Sequence, residues 1–104
     1  MPFHNEVPIM VFAEDLNDPN SVVVVPDEAY VISNKQKPHW VSWQGEVVDV
    51  EFEKASGSPE KPACNRGHAK SKSHPLTPGS YKYTVSLRVN GKIYKGDPRL
   101  VVGN

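Results

Sequence analysis

Several features that define common protein classes are scarce or missing in this chain of 104 residues. One cysteine excludes an internal disulfide framework and any zinc site that needs two or more thiolates from one chain. The longest aliphatic run, residues 22–25, is far too short to span a membrane. Twelve basic and twelve acidic side chains cancel, which excludes a strongly basic nucleic-acid binder and an acidic solvating tail as whole-chain descriptions.

A secretory signal is also missing. The first residues, MPFHNEVPIMVFAED, have neither the basic region nor the apolar region of such a signal. Taken as the natural start of the chain, they predict a cytoplasmic protein. If the N-terminus was trimmed, the protein would be periplasmic or secreted.

Helix patterns are missing too, because no segment has a sustained apolar stripe at 3.6-residue spacing with capping residues. Ten prolines and seven glycines favour many short elements joined by turns. The length fits one domain over residues 1–104.

Strand patterns, in contrast, run through most of the chain. Residues 81–89 alternate between apolar and polar side chains, and Asn90-Gly91 after them is typical of a type I′ hairpin turn. Residues 47–52 also alternate, with Val48, Val50 and Phe52 predicted on the buried face. Further strands are predicted at 9–13, 21–25, 29–32, 39–43, 92–95 and 99–102. The fold class is therefore all-β: a Greek-key β-sandwich of about seven strands, immunoglobulin-like in its general layout.

Five aromatic residues are the large core candidates: Trp40, Trp43, Phe52, Tyr81 and Tyr83. Because Trp40 and Trp43 are three residues apart, a regular strand would place them on opposite faces. We expect that one of them is partly exposed or that the strand is bulged.

Residues 53–80 interrupt the strand patterns with a long stretch rich in Pro, Gly and Lys. Connections of this length are usually functional or mobile, so we expect trypsin to cut there first. The stretch contains Cys64, His68 and His74 in a C-x3-H-x5-H arrangement, to which His39 or His4 could add a fourth ligand. Thiolate and imidazole groups are good ligands for zinc or copper.

Two alternatives to a metal site remain open for this stretch. The first is a solvated basic loop in which the thiol and imidazoles are incidental. The second is a Cys/His nucleophile and base, but no acidic residue is identified that would orient the histidine. The chain is therefore predicted not to be an enzyme. The basic residues of the loop lack interleaved aromatic residues for base stacking, so nucleic acid is not an expected partner.

Charge is divided unequally along the chain. Residues 1–53 carry a net charge of −8 and residues 54–104 carry +8. Either acidic strands lie beside basic strands, or the molecule is a dipole that orients a protein partner or a second copy. The uncharged segment 21–25 is the predicted place for strand addition by another chain if it forms an edge. The alternative is a central strand that is buried on both faces.

Residues 22–102 resemble a cupredoxin-like domain, the type found in plastocyanin and azurin. The resemblance rests on four segments: Val41-Ser42-Trp43-Gln44, Val48-Asp49-Val50-Glu51-Phe52, Gly79-Ser80-Tyr81-Lys82-Tyr83-Thr84-Val85 and Asp97-Pro98-Arg99-Leu100-Val101-Val102.

The resemblance implies a β-sandwich but no type 1 copper centre. The first copper histidine aligns with Val48 and the copper cysteine with Val85, and no His or Met follows His74. A blue-copper site needs two histidines and a thiolate. We therefore expect a non-enzymatic binding or interaction module of unknown ligand. The alternative is a copper- or zinc-binding protein that uses Cys64, His68, His74 and His39.

Overall fold

The fold is all-β in a computed structural model that describes residues 6–32, 35–53, 63–65, 68–70 and 78–103. Those residues form ten strands: β1 Glu6–Ala13, β2 Val22–Val25, β3 Glu28–Ile32, β4 Lys37–Val41, β5 Glu46–Phe52, β6 Ala63–Asn65, β7 His68–Lys70, β8 Gly79–Val89, β9 Lys92–Gly96 and β10 Arg99–Gly103. Within the described parts of the chain, no helix is long and apolar enough to cross a membrane.

The strands form two mixed sheets. The first sheet has the order β2-β1-β4-β7-β6, and the second has the order β3-β10-β8-β5 with β9 also paired to β8. Each sheet contains one parallel pair, β1 with β4 and β3 with β10, and the other pairs are antiparallel. Strands that are neighbours in space are therefore often distant in the sequence.

Two short interruptions between consecutive strands, here called breaks, lie on one side of the molecule. After β2 the chain leaves the first sheet at Pro26 and Asp27 and enters the second sheet as β3. In the second sheet, Asp97 and Pro98 separate β9 from β10. At this break the Pro98 carbonyl accepts a hydrogen bond from the Tyr83 amide of β8 (3.1 Å). Both breaks lie beside the edge of β2.

The core between the sheets follows the alternation that the sequence predicts. On β8, Tyr83, Val85, Leu87 and Val89 are buried, and both Asn90 (φ 51°) and Gly91 (φ 79°) have the positive φ angles of a type I′ turn. Three rings form the centre of the core, with centroid distances of 5.4 Å for Trp40–Tyr83, 5.3 Å for Phe52–Tyr83 and 6.2 Å for Trp40–Phe52.

The predicted buried face of β5 is wrong at one position. Val47, Val50 and Phe52 are buried, whereas Val48 is only half-buried. The register with β8 shifts between Val47 and Asp49. A bulge inserts one extra residue into a strand and moves the following side chains to the other face, which explains the departure from strict alternation.

The fourth strand also departs from prediction. It runs over Lys37–Val41 rather than 39–43, and it ends early because the chain turns at Ser42. Trp40 is therefore fully buried, and Trp43 is 88% exposed. The expectation that one tryptophan is exposed is confirmed, but Trp43 is wrong as a core candidate. Tyr81 is half-buried against the core.

Ten strands are found where about seven were predicted. Eight of them match the eight predicted segments with shifted ends. The other two, β6 and β7, lie within residues 53–80, which were predicted as a connection, and β7 pairs with β4. Their three-residue length leaves too little pattern to identify in the sequence.

In the second sheet the acidic strands β3 and β5 lie on either side of the basic strands β10 and β8. The acidic strand β5 pairs with β8, where Glu46 lies opposite Arg88, and their side chains form an exposed ion pair (3.8 Å). On the other side, Glu28 of β3 pairs with Arg99 of β10. Part of the charge division along the sequence is thus balanced between neighbouring strands.

Candidate functional site

The most exposed large hydrophobic side chain among the described residues is Trp43, at 88%. It lies in the turn of residues 42–45 that joins β4 of the first sheet to β5 of the second, here named the Trp43 turn. An exposed tryptophan loses the free energy that burial of its ring would give. A tryptophan presented in this way is therefore a strong candidate for contact with another molecule.

Hydrogen bonds hold the Trp43 turn in one conformation. The Ser42 Oγ accepts hydrogen bonds from the Gln44 amide (3.2 Å) and the Gly45 amide (3.3 Å). The Gln44 side chain reaches Ala13, the last residue of β1: its Oε1 accepts from the Ala13 amide (2.7 Å) and its Nε2 donates to the Ala13 carbonyl (3.2 Å). The Gln44 side-chain amide thus makes the two hydrogen bonds to Ala13 that a backbone peptide group of an adjacent strand would make.

Close packing adds a third attachment at Gly45. A Cβ atom at this position would collide with the backbone carbonyl of Arg88 on β8. Only glycine allows this approach. The turn is therefore fixed to both sheets, by Gln44 to the first and by Gly45 to the second, and Trp43 directly precedes these two residues.

A second exposed apolar residue, Leu16, lies in the loop that follows Ala13. This loop, residues 14–21, is held to β9 by the Tyr94 hydroxyl, which donates to the Leu16 carbonyl (2.7 Å). Asp15 and Asp18 each accept a bond from an amide two residues later (2.9 Å in both cases), the bonding of an Asx turn. The loop and the Trp43 turn are joined through the Ala13–Gln44 bonds.

Trp40, the other tryptophan of the chain, lies in a different environment from Trp43. The Trp40 Nε1 donates a hydrogen bond to the Tyr83 hydroxyl (2.9 Å) inside the core. Burial raises the pKa of Tyr83 to about 12, and the bond from Trp40 opposes that shift because it stabilises the phenolate. Tyr83 is thus a neutral structural group at physiological pH.

The predicted metal ligands are only partly described. The backbone places Cys64 on β6, His68 on β7 and His39 on β4, three strands that are adjacent in the first sheet. Cys64 is paired with Ala69, and His68 is paired with both Asn65 and Val41. His74 lies outside the described residues.

His39 has a carboxylate beside it. Its side chain is 19% exposed, and its Nδ1 lies 3.9 Å from the Glu6 Oε1. Among the described residues, no three His, Cys, Asp or Glu side chains come together as a metal-binding group.

The positions that the resemblance aligns with copper ligands lie in the second sheet. Val85 on β8 is fully buried, and Val48 on β5 is half-buried at the bulge. Neither side chain can ligate a metal ion.

The sequence did not identify Trp43 as a candidate binding residue, although two features are compatible with its exposure. The three-residue spacing from Trp40 excludes a shared face in a strand, and the Ser42 and Gly45 flanks favour a turn. Comparison with known proteins adds nothing to this assignment, because no protein-family model and no curated protein matches the chain.

Proposed function

We propose that this chain is a non-enzymatic binding module that contacts a protein partner through the Trp43 turn. The single observation that carries the proposal is the 88% exposure of Trp43 on a turn that is fixed to both sheets. Tryptophan is the residue type most enriched among side chains that dominate binding energy in protein interfaces.

The rigidity of the turn supports this function. Binding costs free energy whenever a loop must be ordered, and a turn that is already fixed avoids that cost. The bonds from Ser42 and Gln44 fix the turn without using the Trp43 side chain. Leu16, which is also exposed, lies on the loop that follows Ala13, the residue to which Gln44 is bonded.

For the fold, we propose a Greek-key β-sandwich of the cupredoxin-like type without a type 1 copper centre. The pairing of β1 with β4 and of β3 with β10 joins strands that are not consecutive, which is compatible with a sandwich of this type and does not fit an up-and-down sheet. Apolar Val48 and Val85 at the aligned ligand positions do not fit copper.

The test uses selection of binding peptides from a random display library on the immobilised chain. The selected peptides should bind the wild type and lose most of their affinity, at least about ten-fold, for Trp43→Ala, since truncating a dominant interface residue costs 2 kcal/mol or more. Ile93→Ala is the matched control, because Ile93 is also exposed but lies on β9. If every selected peptide binds Trp43→Ala and the wild type equally, the proposal is contradicted.

A metal-binding function is the second candidate, and the register of two histidines favours retaining it. His39 is opposite Lys70 and His68 is opposite Val41, so the two histidines are diagonal neighbours on paired strands. Cys64 lies on the next strand opposite Ala69, so by strand alternation it belongs to the other face of the sheet. Of the set Cys64, His68, His74 and His39, the register therefore supports a site that uses His39 and His68.

Metal titration tests the metal-binding function. If Cys64 and the histidines bind metal, Zn²⁺ and Cu²⁺ should bind the wild type stoichiometrically, and Cys64→Ser and His39→Ala should each weaken binding by about ten-fold or more. If they do not, binding should be weak and insensitive to both substitutions. We expect no intense blue thiolate band with Cu²⁺, and a band that disappears in Cys64→Ser would show that Cys64 is a copper thiolate.

A further inference from the structure

A cleft of about 390 Å³ opens on the side of the molecule where the chain crosses from one sheet to the other. Val22, Val23 and Val24 of the β2 edge form one wall, and the break between β9 and β10 forms the other. The cleft is also lined by Asp27, Glu28, Asp97, Pro98 and Arg99. Its volume is at the lower end of the range for ligand pockets, and none of its lining residues belongs to the Trp43 turn.

The β2 edge presents the backbone groups of one residue, Val24, to this cleft, because Gly96 of β9 packs against the Val22 carbonyl. The Glu14 amide donates to the Ser21 carbonyl (3.1 Å), which fixes the phase of the antiparallel ladder between β1 and β2. Because bonded pairs alternate, Phe12 and Val23 form the next bonded pair, and Val24 belongs to a non-bonded pair. The amide and carbonyl of Val24 therefore point away from β1, where an added strand would bind.

The cleft also has an excess of negative charge. Asp27, Glu28 and Asp97 bring three carboxylates against one guanidinium, that of Arg99. The Thr84 hydroxyl donates to one oxygen of Asp97 (2.8 Å), and Thr84 does not line the cleft. The Asp97 carboxylate is therefore bonded to β8, which leaves Asp27 and Glu28 as the acidic groups for a cation in the cleft. A cationic side chain is the complementary partner, whereas an acidic one would be repelled.

We propose that this cleft binds an extended peptide segment of a partner protein that carries a Lys or Arg side chain. The segment adds to the β2 edge through the backbone of Val24, and its cation lies beside Asp27 and Glu28. Strand addition supplies backbone hydrogen bonds, and side-chain pockets supply specificity. This inference concerns a different surface from the proposed function and does not depend on it.

A second copy of the chain fits this edge less well. The β2 segment of a second copy, residues 22–25, carries no charge. It therefore offers no cation to the acidic residues that line the cleft. The charge pattern thus favours a basic partner segment over self-pairing.

The experiment uses two five-residue peptides of alternating valine and lysine or valine and glutamate, added to the ¹⁵N-labelled full chain and followed by NMR. The lysine peptide should shift the amide signals of residues 22–24 and 97–99 and bind at least about ten-fold more tightly than the glutamate peptide at low salt. Equal binding of both peptides, or no shifts at residues 22–24 at millimolar concentration, would overturn the proposal.

Two controls separate the contributions of backbone and charge. A lysine peptide with N-methyl groups on alternate amides cannot donate to β2, and it should bind at least about five-fold more weakly. Asp27→Asn and Glu28→Gln keep the shape of each side chain, and together they should weaken binding of the unmethylated peptide by about five-fold. Unchanged affinity in either control would exclude the binding mode that we propose.

Variants on other surfaces test which molecule binds in the cleft. Trp43→Ala should retain the lysine peptide with wild-type affinity, so this proposal and the Trp43 proposal fail separately. Val25 is 55% exposed, and Val25→Lys should remain folded. A dimer of the wild type in sedimentation that is lost in Val25→Lys would identify a second copy as the occupant and overturn the assignment to a basic partner.

Discussion

The two tryptophans, three residues apart in the sequence, lie in opposite environments. Trp40 is fully buried, packs against Phe52 and Tyr83 and donates its indole N–H to the Tyr83 hydroxyl. Trp43 is 88% exposed on a turn that other residues hold in place. The comparison teaches that one aromatic ring is part of the core, whereas the other is held at the surface by a turn that is stabilised without it.

Replacement of each tryptophan by alanine gives the largest expected difference. Trp40→Ala should lower the free energy of unfolding by about 3–5 kcal/mol, because it leaves a cavity and an unpaired Tyr83 hydroxyl in the core. Trp43→Ala should change it by less than about 0.5 kcal/mol. Urea denaturation followed by circular dichroism measures both values.

Fluorescence provides a check on the same pair. In Trp40→Phe the remaining emission should be that of a solvent-exposed indole and readily quenched by iodide, whereas Trp43→Phe should leave a shielded, blue-shifted emission. Similar quenching in the two variants would contradict the assignment of one buried and one exposed ring.

High pH should weaken the buried region selectively. Tyr83 has a pKa of about 12 in the folded chain against about 10 when unfolded. Between these values the unfolded state loses its proton first, so stability falls as pH rises. The contribution is full below pH 10 and lost by pH 12, about 3 kcal/mol in all.

Comparison with Tyr83→Phe isolates this effect from other alkaline titrations. The stability difference between the wild type and the variant should shrink from pH 9 to pH 12 in denaturant melts. A difference that stays constant over this range would show that Tyr83 titrates alike in both states.

Loss of the Gln44 amide should give an intermediate effect, located at the Trp43 turn. Gln44→Met keeps the length of the side chain but removes both bonds to Ala13, so it should cost about 1–2 kcal/mol. The emission anisotropy of Trp43, measured in a Trp40→Phe background, should fall as the turn gains freedom. Gln44→Glu can still accept from the Ala13 amide, and it should lie between wild type and Gln44→Met.

The smallest effect is expected at the ion pair beside this turn. Glu46 and Arg88 are 3.8 Å apart, and both side chains are more than half exposed. Exposed pairs contribute little, so Glu46→Gln should change stability by less than about 0.5 kcal/mol. A loss above about 1 kcal/mol that persists in high salt would show that Glu46 holds the turn directly.

The sequence was sufficient for the elements in which local pattern and tertiary structure agree. Strand β8 alternates in the sequence as it does between core and solvent, and the Asn90-Gly91 hairpin follows from the left-handed conformations these residues tolerate. The half-buried Val48 was not predictable, because a bulge depends on how β5 pairs with β8. Sheet order and the pairings of β6 and β7 likewise depend on partners distant in the chain.

The candidate site was predictable only in part. The spacing of Trp40 and Trp43 required that they differ, but it did not say which ring is buried. That choice depends on the end of β4 at Ser42 and on the Gln44 side chain, which bonds to a residue 31 positions earlier. The segment 21–25 was open to two interpretations, and its position at the end of the first sheet confirms the edge.

The parallel pair of β3 with β10 has a consequence for the kinetics of folding. Arg99 lies beside Glu28, and β3 has no other hydrogen-bonded neighbour in its sheet among the described strands. This ladder forms only after nearly the whole intervening chain has been brought into a closed loop. Folds dominated by such long-range pairings cross their rate-limiting barrier slowly, on a timescale of about milliseconds to seconds. Until that step β3 is unpaired, so a refolding chain is most prone to aggregate at this stage. A lower protein concentration during refolding should reduce this aggregation.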